Sequence, residues 1–182
     1  NITFVGTGKD TTTILGGFRI DNLENITFKN MTVTNTSHIG NGIYIMKNAK
    51  VELIDVALKG CRGPALGVWH SSSETTVVAT RCEFANSGCG VYVYGSLSSA
   101  TFKNCVFHDN SQHGIMAANS TIHLHGDATA IHSNRRHGIY ATRSGKVIIH
   151  LPSHHNTLYN NGGRNGNNRI TIGGGTITNV ED

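Results

Sequence analysis

Gly114-Ile115-Met116, Ile122-His123-Leu124 and Thr129-Ala130-Ile131 follow one another within a single short stretch, three brief segments rich in aliphatic and β-branched residues. Each has counterparts about two dozen residues apart along the chain. The first recurs as Gly42-Ile43-Tyr44, Gly67-Val68-Trp69, Gly90-Val91-Tyr92 and Gly138-Ile139-Tyr140, at spacings of 25, 23, 24 and 24 residues. The second recurs as Ile26-Thr27-Phe28, Val51-Glu52-Leu53, Val77-Val78-Ala79, Ala100-Thr101-Phe102, Val147-Ile148-Ile149 and Ile170-Thr171-Ile172. The third recurs as Met31-Thr32-Val33, Val56-Ala57-Leu58, Cys82-Glu83-Phe84 and Cys105-Val106-Phe107.

Strands this short are not stable as isolated hairpins, and no 3.6-residue period lies between them to supply crossover helices. Stacking solves both problems. If similar coils pile up about 4.8 Å apart, every strand pairs with the coil on either side and the inward residues form continuous aliphatic columns. The expectation is an all-β fold, a right-handed parallel β-helix of about seven coils with roughly 24 residues per coil and three short parallel sheets. Asn35, Asn86, Asn110, Asn134 and Asn161, with Gly60 in the equivalent place of one coil, follow the third segment where the chain must turn. Asn tolerates the left-handed conformation of a tight corner, and its amide can hydrogen-bond along the stack.

The repeat, its asparagine column and its Gly-Ile-Tyr strands resemble the pectate-lyase-like right-handed parallel β-helix superfamily. The resemblance covers nearly the whole chain and implies the fold, with enzymes of that superfamily acting on polysaccharides in a groove along one sheet. A fold does not specify a chemistry. Residues 1–182 are expected to form one β-helix domain, a fragment of a longer chain lacking the N-terminal strand and capping helix that the resemblance implies.

Composition agrees with a solenoid. The 182 residues are only 37% hydrophobic and 14% charged, the balance being Gly (22 residues), Asn, Thr, Ser and His. That mixture suits short strands joined by many turns better than it suits disorder, which would be richer in charge. No apolar run reaches the roughly 20 residues of a membrane span. The first residues lack a charged-then-apolar leader. The formal charge of +4 and eleven histidines favour acidic partners such as uronate-bearing polysaccharides. Arg135-Arg136 is the sole basic doublet, so a dedicated nucleic-acid binder is not indicated.

Enzymatic motifs of such folds are missing. A glycoside hydrolase needs paired carboxyls, yet the eleven acidic residues include no Asp-Asp pair and no Asn-Thr-Asp segment. The Asp-Pro-His-Asp motif of alginate epimerases is absent. A calcium-dependent lyase needs converging carboxylates, whereas Asp55, Asp109 and Asp127 fall in different parts of the coil.

Two outward constellations remain. His123 and His125 share a face of one strand, and the register places His150 beside His125, with Lys103 one coil away on the other side. Three imidazoles on neighbouring strands can ligate a divalent transition metal, zinc or copper. They can equally supply a base beside Lys103 for abstracting a proton next to a uronate, or simply form a polar ladder on an exposed face. A second histidine set, His108 with His132 and His113 with His137, follows from the repeat itself. The other constellation is an outward stripe of Tyr44, Trp69, Tyr92, Met116 and Tyr140, a track on which sugar rings can pack or which stabilises the sheet by cross-strand contact.

Of the four cysteines, Cys82 and Cys105 fall in one inward column and read as a free thiol stack. Cys61 and Cys89 lie in corner loops of adjacent coils and are the better candidates for a disulfide in an exported protein. Five Asn-x-Ser/Thr sequons, about the number chance supplies, do not establish secretion. The function expected is a non-catalytic, extracellular or secretory-pathway domain binding carbohydrate or a protein surface along the aromatic track. The alternatives are a polysaccharide lyase or epimerase using Lys103 with His123, His125 or His150, and an intracellular protein-recognition module.

Overall fold

The structure is a computed structural model that describes residues 1–69, 73–150, 158–162 and 167–181. It is a parallel β-solenoid of about six turns with three faces. The first face carries β1 (Ile2–Val5), the first halves of β4 (Ile26–Thr34) and β6 (Lys50–Lys59), then β8 (Thr75–Thr80), β11 (Ser98–Lys103), β14 (Thr121–His125), β17 (Lys146–His150) and β20 (Thr176–Val180). The second carries β2 (Thr13–Leu15), the second halves of β4 and β6, β9 (Glu83–Ala85), β12 (Val106–His108), β15 (Ala130–His132) and β18 (Leu158–Tyr159). The third is built from β3 (Phe18–Asp21), β5 (Ile43–Met46), β7 (Leu66–Val68), β10 (Val91–Tyr94), β13 (Ile115–Ala118), β16 (Ile139–Thr142) and β19 (Arg169–Ile172).

The three faces are hydrogen-bonded as two sheets, because β4 and β6 run unbroken through the bend between the first and second faces. One left-handed residue makes that bend in successive coils: Asn30 (φ 55°), Asp55 (φ 53°), Arg81 (φ 54°) and Asn104 (φ 54°). Among the described residues no helix is long and apolar enough to cross a membrane.

Apart from Ile170-Thr171-Ile172, the expected inward columns are buried. Val33, Leu58, Phe84, Phe107 and Ile131 stack in register on the second face, each fully buried. Phe84 and Phe107 lie parallel with centroids 5.0 Å apart, and Phe102 of the first face meets both edge-on at 5.5 and 5.2 Å. These are favourable aromatic geometries, so the centre of the solenoid is locked by three rings from two faces.

Two details of the register differ from expectation. The corner after the second face uses two adjacent columns. Gly60, Asn86, Asp109, Ser133 and Asn160 hold the left-handed conformation (φ 66°, 50°, 54°, 57° and 53°). The residue after each one stacks in the ladder, so that Cys61 and Ser87, not Gly60 and Asn86, continue the line of Asn110, Asn134 and Asn161. One residue supplies the turn and its neighbour supplies the hydrogen bonds. The second correction concerns Ile170-Thr171-Ile172. Its partners are Tyr140, Ala141 and Thr142, which places it on the third face, while Ile177 of β20 takes the place beside Val147. Its apolar-Thr-apolar pattern is the same on either face, and Asn168 stands where other coils put glycine, receiving the Ile139 amide at its carbonyl (2.9 Å).

Candidate functional site

The outer surface of the third face carries two rows of side chains, because alternate residues of each strand point outward. In the first row, Arg19, Tyr44, Gly67, Tyr92, Met116, Tyr140 and Ile170 follow in register. Trp69 is therefore not in line between Tyr44 and Tyr92, as the Gly-led triplets suggested. Leu66, not Val68, pairs with Ile43 and Val91, which shifts that coil by two residues and puts Gly67 in the aromatic row. The missing side chain is replaced from the next position. The indole of Trp69 lies over Gly67, whose Cβ position would meet Trp69 Nε1 at 3.2 Å and Tyr44 Cδ2 at 3.4 Å.

The rings consequently form a continuous patch. Trp69 is 6.1 Å from Tyr44, 5.1 Å from Tyr92 and 5.9 Å from Tyr94, centroid to centroid. Tyr94 was not singled out by the repeat, although its position two residues past Tyr92 marks it as outward. All four rings are half-buried. Met116 interrupts the aromatic row, and Tyr140 joins a separate stack, parallel to His113 at 4.8 Å, with His113 over His137 at 5.3 Å.

Cations border this face. Arg62, Arg135 and Arg136 are exposed on the turn preceding it, and Arg143 is exposed on the turn that follows. Beside the aromatic patch is a hollow of about 640 Å³ whose lining includes Arg19, His38, Ile39, Tyr44, Arg62 and Trp69. Arg19 also lies over the Tyr44 ring at 6.0 Å, within reach of a cation–π interaction. Among the described residues of these strands the one carboxylate is Asp21, which accepts from Lys47 at 3.1 Å.

The histidine constellation also assembles, on the first face. His123 Nδ1 and His150 Nε2 are 3.0 Å apart, and the rings of His125 and His150 stack with centroids 3.9 Å apart. One possible ligand nitrogen from each of the three lies within 4.8 Å of the others. All three are half-buried, and burial, reinforced by His150, pulls the His123 pKa down. Thr101 and Ile148 flank His123 in register, and Lys103 is the register partner of His125. No carboxylate stands among these neighbours, so a base here would act beside a lysine without a paired acid.

The histidines of the second face are committed locally. His108 Nδ1 meets Asp109 at 2.7 Å and its Nε2 meets Glu83 at 3.1 Å, while His132 stacks on His108 at 5.1 Å.

Cys61 and Cys89 do not pair; both are free and buried, and burial raises both thiols. Cys61 occupies the ladder column, where its amide donates to Ser87 Oγ at 3.0 Å. Cys89 lies two residues beyond that partner, so the two cysteines are offset along the chain as well as by one coil. Cys82 and Cys105 do form the expected thiol stack, the Cys82 amide donating to Cys105 Sγ at 3.4 Å.

The family model described as "Right handed beta helix region" matches residues 76–181, more than half of the chain. The chain belongs to that family. Neither a curated protein nor a solved structure gives a significant match. Within this β-helix family the fold is shared; the aromatic patch with its cationic borders and the histidine cluster are features of this chain's own residues.

Proposed function

We propose that this β-helix domain binds an acidic, linear polysaccharide along the outer surface of its third face, without turning it over. The observation that carries the reading is the contiguous ring patch of Tyr44, Trp69, Tyr92 and Tyr94. Half-exposed aromatic faces accept the C–H faces of sugar rings, while tyrosine hydroxyls remain available to sugar oxygens. Successive coils repeat the binding surface along the axis, which suits a polymer. Arg19, Arg62, Arg135, Arg136 and Arg143 border it with positive charge, which suits carboxylate or sulfate groups on that polymer and draws them in from solution. The resemblance of the repeat to pectate-lyase-like β-helices supports the same substrate class. With such a ligand the domain would act in an extracellular or secretory-pathway setting.

Affinity electrophoresis against polyuronates and sulfated glycans tests this reading. Retention is expected for the native protein, weakening with salt, and is expected to vanish in Trp69→Ala and Tyr92→Ala. Unchanged retention in those variants sinks the reading, as does binding confined to a protein partner. No unsaturated-uronate absorbance is expected. If it appeared and was lost in His125→Ala, the lyase alternative with Lys103 would replace the binding reading.

A further inference from the structure

The geometry points to a second site on a different face: a divalent transition-metal site formed by His123, His125 and His150, independent of any glycan bound along the third face. Among the described residues these three form the one group of three or more His, Cys, Asp or Glu side chains with converging ligand atoms. Neighbouring strands supply them. His123 and His125 project from the same side of β14, and His150 projects from the end of β17, the strand that pairs with β14.

The distances are close to those an ion requires. Zinc–nitrogen bonds of about 2.0–2.1 Å in tetrahedral geometry place donor atoms about 3.3 Å apart. His123 Nδ1 and His150 Nε2 already stand 3.0 Å apart. Two imidazole nitrogens at that separation must share a proton between them, and an ion with two lone pairs directed at it can take that proton's place. The third donor is within 4.8 Å of the other two, so rotation of the half-buried His125 ring away from its stack on His150 completes three ligands. Strand pairing holds the backbones of all three.

The donor chemistry selects the ion. Three neutral nitrogens with no carboxylate among the register neighbours Thr101, Lys103, Ile148 and Val180 do not suit calcium or magnesium, which require oxygen ligands. Imidazole suits zinc, copper and nickel. The nearby histidines of the second face do not compete equally, since both ring nitrogens of His108 are engaged by carboxylates.

The test uses the untagged, chelator-stripped chain titrated near neutral pH with zinc by calorimetry and with cobalt(II) by visible absorption. One ion per chain is expected, with the intense ligand-field bands of a low-coordinate cobalt site, and calcium should give no heat. His125→Ala and His123→Asn should each weaken zinc at least tenfold and remove the cobalt bands, while His132→Ala should leave both unchanged. Zinc should also raise the melting temperature of the native chain and not of the two site variants; their melting without metal, close to native, shows that they fold. Absence of zinc binding to the native chain overturns the proposal. So does undiminished binding in His123→Asn and His125→Ala. Neither result bears on glycan retention.

Discussion

Asn110 and Asn134 stand one coil apart, and the Nδ2 amide of Asn110 donates to Oδ1 of Asn134 at 2.8 Å. The same oxygen accepts the backbone amide of Asn110 at 3.2 Å, and Asn134 Nδ2 in turn donates to Asn161 Oδ1 at 2.8 Å and to the Phe107 carbonyl at 3.0 Å. Both side chains are only 1% exposed. A buried amide with partners on each atom is the condition under which a polar column adds order to a core instead of weakening it.

Asn134→Ala is therefore expected to destabilise the chain by about 3 kcal/mol, since it strands the Asn110 amides and the Phe107 carbonyl away from water. Asn134→Asp keeps the acceptor and loses the donor, and its negative charge faces Asn161 Oδ1 and a carbonyl. It should be the worse variant at neutral pH. Denaturant unfolding of the two variants at neutral pH checks the order.

His113 gives a pH dependence whose sign can be worked out. It is 6% exposed, and burial pulls its pKa down to about 4, helped by the neighbouring His137 and Arg136. The backbone N–H of His137 donates to its Nδ1 at 3.4 Å, an arrangement that suits the neutral ring. The unfolded chain takes up this proton near pH 6.5 and the folded chain only near 4, so stability should fall as pH drops through that window, by up to about 3 kcal/mol. His113→Gln should flatten this part of the profile in pH-dependent melting. A profile unchanged by the substitution would show that His113 is not its source.

Gly67→Val should push the Trp69 indole out of the aromatic row, because a Cβ at this position already meets Nε1 at 3.2 Å. Trp69 is the only tryptophan, so the displacement is read directly as a red-shifted emission. Glycan retention should drop without loss of the folded far-UV signal. A native emission maximum in this variant would mean that the indole does not rest on Gly67.

Phe107→Ala removes a ring packed against Phe84 and Phe102 at the centre of the solenoid, and should cost about 3–5 kcal/mol. Arg81→Ala is the contrasting case. Arg81 donates to both carboxylate oxygens of Asp55 at 2.9 and 2.7 Å, 26 residues apart in sequence, and lowers the Asp55 pKa. Both side chains remain partly in water, so the loss should be below about 1 kcal/mol. Urea unfolding of the two variants side by side measures the difference between a core ring and a surface ion pair.

How much of this was legible beforehand depends on the position. The glycine-led triplets, the inward columns and the neighbourhood of His123, His125 and His150 follow from counting residues, because a parallel stack converts a sequence interval near 24 into one strand spacing. Trp69 shows where counting stops. The intervals of 25 and 23 around Gly67 were visible, yet two alignments of that coil both bury a valine and expose an aromatic, and only backbone pairing chooses between them. Asn86 and Ser87 show the same limit at the corners. Either residue fits the turn by type, and the left-handed φ of one and the ladder hydrogen bond of the other are decided by the coils above and below.

The chain's own order of residues thus determined that it winds into stacked parallel coils and which side chains belong inside, since apolar periodicity and the glycine spacing allow few other ways of burying so many short strands. The tertiary structure decided what the outside does. Whether four aromatic rings touch, whether three imidazoles converge and whether two cysteines meet all depend on shifts of one or two residues along a strand. Such shifts leave the periodicity intact, so hydrogen-bond register, which exists only between coils, sets them.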